Sequence, residues 1–167
     1  MFFVVNHLRP RRGAGIRWPA WSNLLGSALC ALALALSYPA ARAAEPGLVI
    51  SQPWLRLIMP SRPAAGYFVL SNETSHTHAL IGAASPACGV LMLHRSVNDN
   101  GQERMEMVDS VSVPAHGEVK FVPGGYHLMC ISPTAALARG RSVSVTLRFE
   151  DGGSLAASFP VRGATGD

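Results

Sequence analysis

Residues 143–149 alternate without a break, setting Val143, Val145, Leu147 and Phe149 against Ser144, Thr146 and Arg148. A period of two puts the four apolar side chains on one face of a strand, which must be buried. Asp151-Gly152-Gly153 follows, a turn of residues tolerant of positive φ, and residues 154–161 return as the partner strand. The same grammar runs upstream, where from Gly47 onward the chain reads as short strands between turn residues. Residues 65–71 and 78–83 read as strands joined by the polar stretch 72–75, and 90–96 is an apolar run ended by Asn98-Asp99-Asn100-Gly101. Strands over 103–108, 118–122 and 126–131 follow, separated by Pro114-Ala115-His116-Gly117 and Pro123-Gly124-Gly125. No part of this region sustains a helical period for ten residues. The pattern predicts an all-β fold, a single antiparallel sandwich or barrel.

The first forty residues obey a different logic. Arg9, Arg11, Arg12 and Arg17 precede an apolar run of thirteen residues, 24–36, and then Ala41-Arg42-Ala43. A positive region, a short apolar region and a small-x-small site make a secretory leader. The run falls short of the roughly twenty residues a membrane span needs. The expectation is a signal peptide over 1–43, cleaved after Ala43, and one mature domain over 44–167 that does not insert in the membrane. Cys30 lies inside the apolar run with no second processing signal after it, so a lipid anchor is not expected.

Export changes the meaning of the charge. The formal net charge is +4, but five of the fourteen basic residues (Arg9, Arg11, Arg12, Arg17, Arg42) and none of the ten acids fall in the leader. Nine basic side chains then face ten acidic ones, a net of −1 for the mature domain. Without a Lys/Arg cluster there is nothing to track a phosphate backbone, so nucleic acid is not an expected partner. Two of the three cysteines, Cys88 and Cys130, remain after processing. In an oxidising compartment such a pair most simply forms a disulfide.

The residues with chemistry are His94, Met105, His127 and Met129, in the order His94-x10-Met105-x21-His127-x-Met129. On a strand, residues i and i+2 share a face roughly 7 Å apart, so the imidazole of His127 and the thioether of Met129 can converge on one ion. The Asn98–Gly101 turn folds the Met105 strand back towards His94. Thioether sulfur is soft and neutral and selects Cu(I) over zinc, magnesium or calcium, and imidazole suits copper in either redox state. A methionine on a strand is nevertheless most often core filler.

The same four residues resemble the full ligand pattern of the periplasmic copper chaperone family called PCu(A)C. Gly124-Gly125-Tyr126-His127-Leu128-Met129 resembles its most recognisable segment, and Arg62-Pro63-Ala64-Ala65-Gly66-Tyr67, Ser85-Pro86-Ala87 and Val113-Pro114-Ala115 resemble other landmarks. The similarity spans essentially the whole mature chain. It implies a cupredoxin-like antiparallel β-sandwich or Greek-key barrel and a periplasmic, non-enzymatic carrier of one Cu(I) per chain. His94, Met105, His127 and Met129 would hold the ion. The implied partner is a copper-accepting protein, cytochrome c oxidase subunit II at its copper-A centre or a Sco-type thiol protein.

Two features stand outside that pattern. Met107 shares strand parity with Met105 and can replace it or back it up, as Met92 can near His94; the expectation is that both pack inside or line the site without ligating. Cys130 follows Met129 and so points away from the ion on a regular strand, where a Cys88–Cys130 disulfide would pin two segments beneath the site. His76 and His78 lie in a polar hairpin and are expected to be solvated, like His116 in its turn. No Ser/His/Asp grouping stands out. Two other functions remain open. An electron-transfer cupredoxin needs a thiolate beside two imidazoles, and the order His-Leu-Met-Cys puts the thiol on the wrong face. A non-metal interaction domain would use the sandwich as a scaffold.

Overall fold

The computed structural model describes residues 42–43 and 46–166. The leader expected over 1–43, with Cys30, therefore lies outside the described residues except for Arg42 and Ala43. Eleven strands follow in order: β1 (Arg42–Ala43), β2 (Leu48–Arg56), β3 (Ala64–Asn72), β4 (His78–Ala84), β5 (Cys88–Asp99), β6 (Gln102–Met107), β7 (Val111–Val113), β8 (Glu118–Phe121), β9 (Tyr126–Pro133), β10 (Ser142–Phe149) and β11 (Gly153–Arg162). The described domain is all-β, as the alternation requires, and its fold is cupredoxin-like.

The strands form two layers. One runs β7-β4-β10-β11, and the other runs from edge strand β6 through β5, β9, β8 and β3 to β2, with β9 also pairing β3 directly. Strand β11 belongs to both layers. Residues from Ser154 to Pro160 pair antiparallel with β10, and Val161 and Arg162 then pair parallel with Leu55 and Arg56 of β2. The core fills the space between them. Val143, Val145, Leu147 and Phe149 are all buried, as their alternation demands. Phe68 of β3 stacks on Phe121 of β8 at 4.2 Å between ring centres and meets Phe159 of β11 edge-on at 5.7 Å. Such ring pairs add about 0.5–1.5 kcal/mol each beyond their burial, and here they tie the layers together.

Three strands escaped delimitation from sequence, among them the two-residue β1, which falls where the leader was expected. Strand β2 carries Pro53, which cannot donate to a ladder. The chain accommodates it with a bulge: the β2–β3 register shifts between Ser51 and Trp54, and Gln52 takes a φ of 51°. Strand β7 has three residues and stops at Pro114, too short for its alternation to register.

The β5–β6 hairpin matters most for function. Strand β5 is longer than the apolar run 90–96 suggested, because pairing continues to Asp99↔Gln102. The loop is only Asn100-Gly101, with φ of 52° and 86°. Positive φ at both central residues is the hairpin turn whose twist matches the flanking strands. The Asn98 side chain accepts the Gly101 N–H at 2.9 Å and closes it.

Cys88 and Cys130 form the expected disulfide, with Cα atoms 5.4 Å apart. It joins β5 to β9 on the core side, where Leu91, Leu93, Leu128 and Cys130 are buried.

Candidate metal centre

Because residues opposite one another in adjacent strands share a face, the register of β6, β5 and β9 dictates what meets on the outer surface. His94 lies opposite His127 on one side and opposite Met107 on the other. One step along, Met92 lies opposite Met129. One step the other way, Ser96 lies opposite Met105. Two imidazoles and four thioethers thus occupy one continuous patch of three strands, turned away from the core leucines. All four residues singled out from sequence are in it.

The positions are not equivalent. His94 and His127 are direct neighbours, their ring centres 5.8 Å apart and tilted by 58°. A metal about 2.0–2.1 Å from one nitrogen of each ring would hold two imidazole centres roughly 5–6 Å apart, so this spacing fits a shared ion. Met129 is two residues from His127 on the same face. Met105 is only a diagonal neighbour of His94, and the thioether directly across from His94 is that of Met107. Met107 therefore does not pack inside: it is 63% exposed, like Met105 at 61%. Met92 and Met129 are half-buried. Protein shields one flank of the patch, and the other opens along the free edge of the sheet.

The two imidazoles are prepared differently. His127 is buried, and its Nδ1–H donates to the Gly125 carbonyl at 3.1 Å. The same carbonyl accepts the Ser96 N–H at 3.1 Å. Gly124, at φ 79°, and the Gly125 N–H bonded to Val122 O build the turn that aims that carbonyl. With the proton held on Nδ1, the lone pair of His127 is on Nε2 and free for a metal. His94 has no such support. Both its ring nitrogens are shut off from solvent, and among the described residues neither has a hydrogen-bond partner. Burial, and secondarily a charge on His127, lower its pKa below the ordinary imidazole value. A buried polar atom without a partner is rare and costs about 1–3 kcal/mol, and a bound ion would repay it. Among the described residues no group of three or more His, Cys, Asp and Glu side chains gathers to hold a metal. The donors on this patch are imidazole and thioether, the set that suits a soft monovalent ion.

The other histidines divide. His76 and His116 are exposed, as expected. His78 is not solvated: it is buried, with Nδ1 3.2 Å from Asp151 Oδ2 and Nε2 3.0 Å from Thr74 Oγ1. The hairpin that looked polar in sequence folds under the β10–β11 turn, so this imidazole braces two loops. Thr74, His78 and Asp151 thereby form the hydroxyl–imidazole–carboxylate chain that sequence inspection did not single out. The Thr74 hydroxyl also meets Asn72 Oδ1 at 2.7 Å, inside a network that Asn72 extends to the carbonyls of His76, Val113 and Pro114. That is a structural arrangement.

Known proteins resemble this chain in sequence and fold. The LpqE-like family model, described as that of a candidate lipoprotein, matches residues 48–161. The candidate lipoprotein Lxx21020 of Leifsonia xyli is 34% identical over 86% of each chain, and RP573 of Rickettsia prowazekii is 29% identical over 65% of this chain and 62% of its own. Among solved structures, the copper-bound PCuAC domain from PmoF2 superposes with a TM-score of 0.60 at 23% identity, over 72% of this chain and 96% of that domain. The solution structure of Cu(I)-DR1885 from Deinococcus radiodurans gives 0.58 at 30% identity, over 71% and 80%. With the family model matched across nearly all of the strands and the PCuAC fold reproduced, this chain belongs to the LpqE-like family of PCuAC domains.

Proposed function

We propose that this protein is an exported carrier that holds one Cu(I) ion between His94 and His127, with the thioethers of Met129 and Met105 completing the set, and passes it to a copper-accepting protein. The observation that carries this reading is the pair of buried, unpartnered nitrogens on His94, facing His127 across a patch whose remaining donors are thioethers. The copper named in the descriptions of the PmoF2 and DR1885 domains supports the same ion. In this reading the protein performs no reaction. The ion is cargo, bound by neutral ligands and released by exchange of ligands with the acceptor.

The acceptor implied by the family resemblance is the copper-A centre of cytochrome c oxidase, reached directly or through a Sco-type thiol protein. The leader and the lipoprotein descriptions of the relatives support export, with the periplasm as the place of work and cleavage after Ala43. Electron transfer is disfavoured by one observation. A blue-copper site needs a thiolate, and both Cys88 and Cys130 are committed to a disulfide on the far side of the sheet.

Competition with a Cu(I) chelator tests the reading. The mature domain is expected to take up one equivalent, and His127→Ala to weaken binding at least tenfold. Identical stoichiometry and affinity in both proteins would reject it.

A further inference from the structure

The patch holds more donors than one ion needs. A Cu(I) ion shared by His94, His127 and Met129 has room for one further thioether in a four-coordinate shell, and β6 offers two. Both are on the right face, because Met105 and Met107 are separated by a single residue. They differ in register: Met107 lies opposite His94, and Met105 lies opposite Ser96, two residue pairs nearer the Asn100-Gly101 turn. Directly opposed side chains have Cβ atoms about 4.5–5.5 Å apart, against about 7–8 Å between diagonal neighbours. The sulfur best placed to reach an ion on His94 therefore belongs to Met107.

Exposure separates these two thioethers from the other two. Met92 and Met129 are half-buried among paired strands, whereas Met105 and Met107 are each more than 60% exposed on a strand with no neighbour on its outer side among the described residues. A large apolar side chain held out in water on a sheet edge gains nothing from packing. The two imidazole nitrogens of His94 are meanwhile closed to solvent on the face these thioethers share.

Resting on the copper reading above, we propose that Met107 is a further copper donor, exchanging with Met105 on the same ion, so that β6 forms a two-step thioether exit from His94 along the sheet edge towards the Asn100-Gly101 turn. Met107 holds the ion against the imidazoles, Met105 takes it two residue pairs towards the turn, and an acceptor's ligand displaces Met105 there. Only dative bonds exchange: one sulfur lone pair replaces another on an ion that stays monovalent, and no electron or proton moves. The ion is then never bare during release.

Silver(I), a redox-inert soft monovalent ion, is the probe. The wild-type mature domain, Met105→Leu, Met107→Leu and the double variant are compared by competition with a thioether chelator. The methionine methyl resonances of the wild type are followed during the titration. Both sites are exposed and leucine is near-isosteric, so folding is not at stake. Each single variant is expected to keep one equivalent and to weaken by less than about tenfold. The double variant should weaken by far more than the product of the two, since groups that share one partner are not additive. The Met105 and Met107 methyls should both shift. A Met107→Leu variant that binds like wild type, with Met105→Leu as weak as the double and the Met107 methyl unmoved, would overturn the exchange and leave the carrier reading standing. A wild-type domain that binds no soft ion would remove both.

Discussion

His94 and His127 face each other across the β5–β9 ladder, ring centres 5.8 Å apart, His127 with its proton assigned by the Gly125 carbonyl and His94 with no partner at either nitrogen among the described residues. One imidazole is thus oriented by the chain, and the other waits for whatever lies between them.

That asymmetry sets a pH dependence. Burial holds the His94 pKa below the ordinary 6.5, and a charge on His127 acts in the same direction. The unfolded chain takes up this proton near 6.5 and the folded domain only at lower pH. The stability contributed by neutral His94 is therefore intact above about pH 6.5 and is lost as pH falls through that value towards the folded pKa. Histidine NMR titration of the metal-free domain should show His94 titrating below 6.5, and His127→Ala should bring its midpoint part of the way back up. A His94 midpoint at or above 6.5 contradicts the burial seen here.

The Pro123-Gly124-Gly125 turn should act on the metal through the His127 tautomer. Gly124 has a φ of 79°, and nothing lies within 4 Å of where its Cβ would be, so Gly124→Ala is penalised by backbone strain alone. Loss of about 1 kcal/mol of stability in urea is expected. The ¹⁵N shifts of His127 should also show more of the wrong tautomer, with weaker metal binding. An unchanged tautomer with lowered affinity would break the link between turn and ligand.

Reducing the Cys88–Cys130 bond should loosen the strands that carry both imidazoles. The bond spans a sequence separation of 42 residues, for which loop-closure entropy predicts about 4 kcal/mol, with measured values commonly about 2–4. Cys88→Ser/Cys130→Ser should unfold at lower denaturant by that order and bind copper more weakly. Two free thiols per chain in oxidised, denatured mature protein would show that the bond does not form.

His78 provides the control. Its imidazole is buried between Asp151 and Thr74 on the other side of the domain's chemistry. His78→Ala should cost about 1–3 kcal/mol in stability from the polar groups it leaves unpaired. The copper affinity of the folded fraction should not change. A tenfold loss of affinity would mean that this histidine serves the metal.

The sequence showed its strands where water enforces alternation. Residues 143–149 have one wet face and one dry one, so their burial could be read off directly. It hid β2, where Pro53 and the Gln52 bulge interrupt the period, and it hid the environment of His78, because a partner 73 residues away, Asp151, leaves no local pattern. His127 and Met129 were legible as a candidate pair because a strand makes i and i+2 neighbours, and His94 and Met105 joined them through the family resemblance. Which of Met105 and Met107 lies opposite His94 was not legible, for a geometric reason. Whether Met105 or Met107 meets His94 depends on whether the hairpin loop has two residues or four, and Asn98-Asp99-Asn100-Gly101 permits either. Pairing stepwise back from Asn100-Gly101, the stronger turn dipeptide, would have placed Met107 opposite His94.

X-ray absorption on the mature domain loaded with one equivalent of Cu(I) tests the central claim most directly, since it counts the atoms around the ion. The account predicts imidazole nitrogen and thioether sulfur in the same shell, two of each, with sulfur lost stepwise as Met129 and the β6 methionines are replaced. A shell of nitrogen and oxygen alone, or one that keeps its imidazole signature when His94 and His127 are both replaced, would contradict it.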